Sequence, residues 1–307
     1  MATKTTKTGK ATKAAKSMAS TVPPGTLIVI EGDSWEKLPD LGPIELPMVG
    51  GAGYDIGRGL ADLGFRVLNL ARWGDKLAEI VEAQEYRKVL LSSKARYFLL
   101  GGGGNDLLDD GRLASFIRLY GSATEPRDYI KPQFGLALDR IISDYETAIA
   151  DVIEEPALAD VRIIVHGYDY ARPVGLRWLG EPFTRMGFDN GPETLPPKIV
   201  AEMIDEFNRR LKKLEKKYPA VIHVDLRGTV AGRWHDELHP TKAAFADLAG
   251  AVAAKVLTKS SPTASPAAVP APSLPVPKPA PAAPESTPAP EQPDLIAEAK
   301  SAKPKTA

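Results

Sequence analysis

Five short apolar runs alternate along this chain with longer stretches of helical spacing, and that alternation limits the fold more than any other feature. Leu27-Ile28-Val29-Ile30, Phe65 to Leu70, Arg96 to Leu100, Val161 to Val165 and Val221 to Val224 read as strands. Tyr54 to Leu63, Lys76 to Leu91, Ala137 to Ile153, Ile199 to Leu214 and Thr241 to Val256 read as helices, the first closed by Gly64 at a position suited to a helix C′ residue. Strands joined through helices pair in parallel, and a parallel sheet needs cover on both faces. Right-handed crossovers to either side of a central first strand predict an α/β fold with a five-stranded parallel sheet in the flavodoxin-like order 2-1-3-4-5. Ligands of such sheets sit beyond the carboxyl ends of the strands, so the residues that follow each strand are where chemistry is expected.

The two ends of the 307-residue chain differ from this middle. Residues 1–21 are mostly Lys, Thr, Ala and Ser without an acidic side chain, and residues 258–307 are dominated by Pro and Ala. Neither can bury enough apolar surface to offset the entropy of ordering. The expected organisation is a disordered Lys-rich arm over 1–21, one folded domain over 22–257 and a disordered tail over 258–307. Lys+Arg and Asp+Glu number 39 each, so the overall charge points to no polyanionic partner. The arm alone carries Lys4, Lys7, Lys10, Lys13 and Lys16, which reads either as a solubilising tail or as a weak contact to nucleic acid or an acidic membrane surface. The absence of cysteine removes disulfides, thiolate metal sites and cysteine nucleophiles together. No apolar run approaches the ~20 residues of a membrane span, and no apolar segment follows the basic N-terminus, so a cytoplasmic location is the simplest expectation.

Four segments after the strands carry the chemistry: Gly32-Asp33-Ser34-Trp35, Asn69 to Gly74-Asp75, Gly103-Gly104-Asn105-Asp106 and Asp236-Glu237-Leu238-His239-Pro240. A serine hydroxyl attacks an ester only with a base beside it, and a turn directly after a buried strand would expose Ser34 for that role. The alternative is that Asp33 or Ser34 simply caps the turn. His239 is the candidate base, and Asp236, three residues earlier, is close enough to accept its Nδ1 proton and leave Nε2 facing Ser34. Of the other histidines, His223 reads as core and His235 lacks a carboxylate at the productive spacing. His166 ends strand four at the same sheet edge, which suits either a substrate contact or a core hydrogen bond. Donors for an oxyanion are the backbone N–H of Ser34, the backbone N–H of Gly74 and the side-chain amide of Asn105. The glycines before Asn105 lack the ending of a phosphate-binding loop, and a dinucleotide fingerprint would need them to open a helix, so neither is expected.

In that order, Gly32-Asp33-Ser34, Gly74, Gly103-x-Asn105-Asp106 and Asp236-x-x-His239-Pro240 resemble the blocks of the SGNH (GDSL-type) hydrolases. The resemblance spans about residues 26 to 255. It implies a three-layer α/β/α fold, a Ser34–His239–Asp236 triad, oxyanion donors from Ser34, Gly74 and Asn105, and neither metal nor cofactor. Trp35 stands where leucine is usual, Glu31 where an apolar residue is common, and Ala71 and Trp73 where small residues are found.

Trp35, Trp73 and Trp234 each lie within two residues of a candidate catalytic position, and Trp178 falls in an aromatic segment between Tyr168 and Pro197. With His166 they are candidates to line a water-excluding cleft; equally, the tryptophans suit packing beneath the loops. The long aromatic segment is expected as a lip over the site, or as a dimer contact. The expected activity is cleavage of carboxylic esters through an acyl-serine, on a small-molecule, carbohydrate or lipid ester. An acyltransferase would use the same groups, and a non-catalytic interaction module would keep only the fold.

Overall fold

The computed structural model describes residues 22–38, 53–175, 177–189, 191 and 194–259. The lysine arm and nearly all of the Pro/Ala-rich tail lie outside the described residues. Five strands, β1 (Leu27–Glu31), β2 (Arg66–Asn69), β3 (Tyr97–Leu100), β4 (Arg162–His166) and β5 (Val221–Val224), form one all-parallel sheet in the order β2-β1-β3-β4-β5. This is the expected order. β1 is an interior strand, but the middle position belongs to β3. Every side chain of β1 is buried, as a strand covered on both faces requires, whereas β2 alternates between exposed and half-buried at the sheet edge.

Alternate residues divide the core in two, since successive strand side chains point to opposite faces. Val29, Phe98, Leu100, Ile163 and Val165 face one layer of helices: α2 (Leu77–Ala83), α3 (Glu85–Ser92), α4 (Gly104–Leu108), α5 (Leu113–Phe116), α6 (Pro132–Ile153), α7 (Gly180–Arg185) and α8 (Leu195–Lys217). Ile28, Ile30, Leu99 and Ile164 face the other, made by α1 (Ile56–Asp62) and α9 (Lys242–Lys259). Two helical layers around one sheet make the three-layer α/β/α sandwich. Gly64 takes φ +99° just past α1, the left-handed C′ role read from the sequence.

Several expectations need correction. The single helix over Lys76 to Leu91 is two, because Gln84 adopts φ +50° and ends α2. The break resets the helical phase so that Tyr86 and Leu90 are buried, with the Tyr86 ring stacked 5.1 Å from Phe98. Asp151 of α6 fixes the corner by accepting from Gln84 Nε2 at 2.9 Å and from the Tyr86 hydroxyl at 2.6 Å. The segment from Tyr168 to Pro197 is only partly a lip: Phe183 and Phe188 are buried, their rings 5.3 Å apart edge to face. Helices α6 and α8 begin four or five residues earlier than expected, at Pro132 and Leu195, with proline in the first turn where its missing N–H costs nothing. Helix α9 runs to Lys259, just into the stretch read as tail.

Candidate active site

The carboxyl edge of the sheet gathers the motif segments. After β1 the chain turns at Gly32, whose φ of +156° lies in the range that favours glycine and where a Cβ would collide with the Glu36 carboxylate. Asp33 Oδ1 accepts the Trp35 N–H at 3.0 Å, and the Asp33 carbonyl accepts from Lys37 at 3.1 Å. Asp33 therefore does the capping, and Ser34 is left to point elsewhere. Its Oγ lies 3.0 Å from His239 Nε2, across 205 residues of chain. His239 Nδ1 meets Asp236 Oδ2 at 2.8 Å and Oδ1 at 3.1 Å, the bond that sets the tautomer with Nε2 facing the serine. Ser34 is 8 % exposed and borders a cavity, so access to its hydroxyl runs through that cavity and not from the open surface.

The loop between β5 and α9 is built to hold that pair. Asp236 Oδ1 also accepts the backbone N–H groups of Leu238 and His239, at 2.8 and 2.7 Å. Burial raises the Asp236 carboxyl, but the His239 hydrogen bond and charge together with these backbone donors outweigh it and hold it below the ordinary carboxylate value. His235 is exposed, and His223 is buried in β5 with burial pushing its imidazole down to about 4, so neither competes as the base.

Asn105 lies in the first turn of α4, which Gly103 caps and Gly104 opens, and it lines the same cavity as Ser34. One of its two amide hydrogens goes to the Asp75 carbonyl at 2.9 Å, which orients the side chain. Asp106 accepts the Leu77 N–H at 3.0 Å, tying the same two segments together at the start of α2. Gly74 adjoins Asp75 with φ +89°, on the exposed side of its loop, and does not border the cavity.

The residues named as possible lining are spread widely. Trp35 borders the cavity but is chiefly an anchor: it is buried against Tyr168, Trp234 and Phe245, and its indole donates to the Leu238 carbonyl at 3.0 Å. Trp234 packs behind it, 6.1 Å between rings. Trp178 stands edge-on to the His239 ring at 6.3 Å. Trp73 is half exposed on a separate surface groove with Lys37 and Arg58. His166 does not face the cavity. It is buried beneath the nucleophile turn, where Nε2 meets Glu36 Oε1 at 2.8 Å without hydrogen-bond alignment and Nδ1 donates to the Gly167 carbonyl at 3.0 Å. Burial lowers this imidazole, but the Glu36 carboxylate more than compensates, and its pKa is raised.

Three functional supports escaped the sequence reading. Glu36 is wholly buried and accepts the Asp33 N–H at 3.0 Å, which braces the nucleophile turn from below. Tyr168 bridges two motifs, donating to Asp33 Oδ2 at 2.5 Å and accepting from the Gly104 N–H at 2.9 Å. Burial and the Glu36 charge push the Asp33 carboxyl up to about 7. Glu237, inside the Asp-x-x-His block, accepts the N–H groups of Val174, Leu179 and Gly180 at 2.8–2.9 Å and fastens the aromatic segment to the histidine loop. Periodicity offers no signal for any of these; a charged residue in or beside a motif is the only hint for Glu36 and Glu237, and Tyr168 has none.

Among the described residues no cluster of His, Cys, Asp and Glu could hold a metal ion, and no helix is long and apolar enough to cross a membrane.

No protein-family model matches the chain, and no curated protein sequence matches it significantly. Solved structures do. An acetylxylan esterase from Geobacillus stearothermophilus is 16 % identical with a TM-score of 0.44, over 77 % of this chain and 96 % of that one. A putative GDSL-like lipase from Parabacteroides merdae is 15 % identical with a TM-score of 0.45, over 76 % and 98 %. An extracellular lipase from Streptomyces rimosus is 14 % identical with a TM-score of 0.47, over 77 % and 99 %. Likeness of this degree carries no weight on activity, which has to be argued from the site itself.

Proposed function

We propose that the chain is a hydrolase of carboxylic esters of the SGNH type, acting through an acyl-serine. One observation carries this: a serine hydroxyl, an imidazole and a carboxylate stand in hydrogen-bonded series, 3.0 and 2.8 Å apart, with the serine opening into a cavity. In the first step Ser34 Oγ bonds to the ester carbonyl carbon while His239 Nε2 takes its proton. The carbonyl oxygen becomes an oxyanion, for which the Ser34 N–H and the free hydrogen of the Asn105 amide are the donors beside the cavity; each is worth about 3–4 kcal/mol when aimed at that oxygen. The carbon–alkoxy bond then breaks, and the alkoxy oxygen leaves with the proton from His239. Water repeats the sequence on the acyl-serine, giving the acid and restoring the hydroxyl.

Trp178 is assigned to the wall on the alcohol side, since it flanks the proton donor to the alcohol. The catalytic unit is residues 22–257, which contain every group named. The test is turnover of a panel of simple esters by the full chain and by Ser34→Ala. Loss of turnover in the variant, with circular dichroism unchanged, supports the reading. Equal turnover in both rejects it.

A further inference from the structure

A cavity of about 90 Å³ opens beside Ser34 and Asn105 and runs between α4, α6 and α8. Its inner wall is hydrocarbon: Leu107, Leu113, Phe134, Val200, Met203 and Phe207, all buried. No Lys, Arg, Glu or His borders it among the described residues, and its one carboxylate, Asp33, is bonded to Tyr168 and to the Trp35 N–H. A hydroxyl or charged group placed there would lose its water without gaining a partner, whereas a methylene gains about 0.8 kcal/mol on burial, roughly fourfold in binding.

Which half of an ester fills it follows from the proton transfers. The alkoxy oxygen must accept a proton from His239 Nε2, so the alcohol departs on the histidine side. The cavity borders the nucleophile and Asn105 but not His239. Its occupant is therefore the acyl chain. At about 90 Å³ the cavity is small, which suits a short acyl chain and not a long one.

Resting on the ester-hydrolase reading above, we infer that the chain selects esters of short aliphatic acids of about the length of butanoate over acetyl and long-chain esters. Acetyl esters leave the cavity unfilled and long acyl chains overfill it. The deciding comparison uses two isomers, ethyl butanoate and butyl acetate, with the full chain and acid release followed by titration. Ethyl butanoate should have the higher kcat/KM by about tenfold or more, near the ~15-fold expected for two methylenes moved onto the acyl side. Ethyl decanoate should fall below it. In Val200→Phe, and independently in the half-buried Ile204→Trp, the preference for ethyl butanoate over ethyl acetate should collapse towards one. Butyl acetate equal to or better than its isomer overturns the inference, as does a preference unmoved in both folded variants. If turnover is abolished by Ser34→Ala yet acetyl esters are preferred, only the pocket assignment fails. If turnover is the same in Ser34→Ala, the ester-hydrolase reading fails and takes the inference with it.

Discussion

Asn105 and Glu31 show opposite ways for a single side chain to matter. Asn105 has one amide hydrogen fixed by the Asp75 carbonyl, so its second hydrogen is presented in a set direction beside Ser34. Asn105→Ala should lower kcat by about 10²–10³ with little change in KM, measured on the best ester of the panel. Glu31 ends β1 almost fully buried, and burial, with the nearby Asp75 charge, raises its carboxyl from 4.5 to about 7. The native state then holds a proton that the unfolded chain releases. This favours folding fully below about pH 4.5, and the advantage is lost as pH rises through about 7. Glu31→Gln removes the need to ionise in the core. Its melting temperature should gain on the wild type between pH 5 and pH 8, by of order 1–3 kcal/mol in stability. A difference that does not change with pH would show that Glu31 reaches water.

Elements reach the site through their ends. The loop between β5 and α9 carries acid and base together, and Glu237 within it holds three backbone donors from the segment that begins α7. A carboxylate can accept on both oxygens, while a glutamine offers one acceptor and presents N–H groups to N–H groups. Glu237→Gln should therefore cost about 2–3 kcal/mol and speed proteolytic cleavage near residues 171–180, read by denaturant unfolding and limited proteolysis. At this scale the sequence was most legible where strands are short and fully buried, because apolar runs such as Leu27 to Ile30 have few other uses. It was least legible where a local rule was overridden. Gln84 is not a usual left-handed residue, and the bonds to Asp151 with the fit of Tyr86 against Phe98 explain it. The first turns of α6 and α8, with Pro132 and Pro196, lie upstream of the apolar spacing that marks those helices from Ala137 and Ile199. The Asp236–His239 contact could be anticipated because Asp-x-x-His is local in sequence. Tyr168, Glu36 and Glu237 could not, since their partners are brought close only by the folded chain.

At the scale of the molecule, all of the proposed chemistry falls within residues 22–259 and along one edge of the sheet. Two separate apolar clusters, one on each face, anchor the strands whose ends bear the candidate site residues. A chain reduced to residues 22–259 should keep its melting temperature within a few degrees and its kcat/KM within about twofold of the full chain, measured on the same ester. A collapse of either would assign the terminal segments a part in folding or catalysis. The separation between attacking atom and proton acceptor is itself governed by a neighbour: the Trp35 indole, adjacent to the serine, grips the carbonyl adjacent to the histidine. That one bolt joins two loops 203 residues apart in sequence, so thermal loosening of either strains a shared latch. The alignment of the reactive pair is thus inherited from a side chain that takes no part in the bonds made or broken.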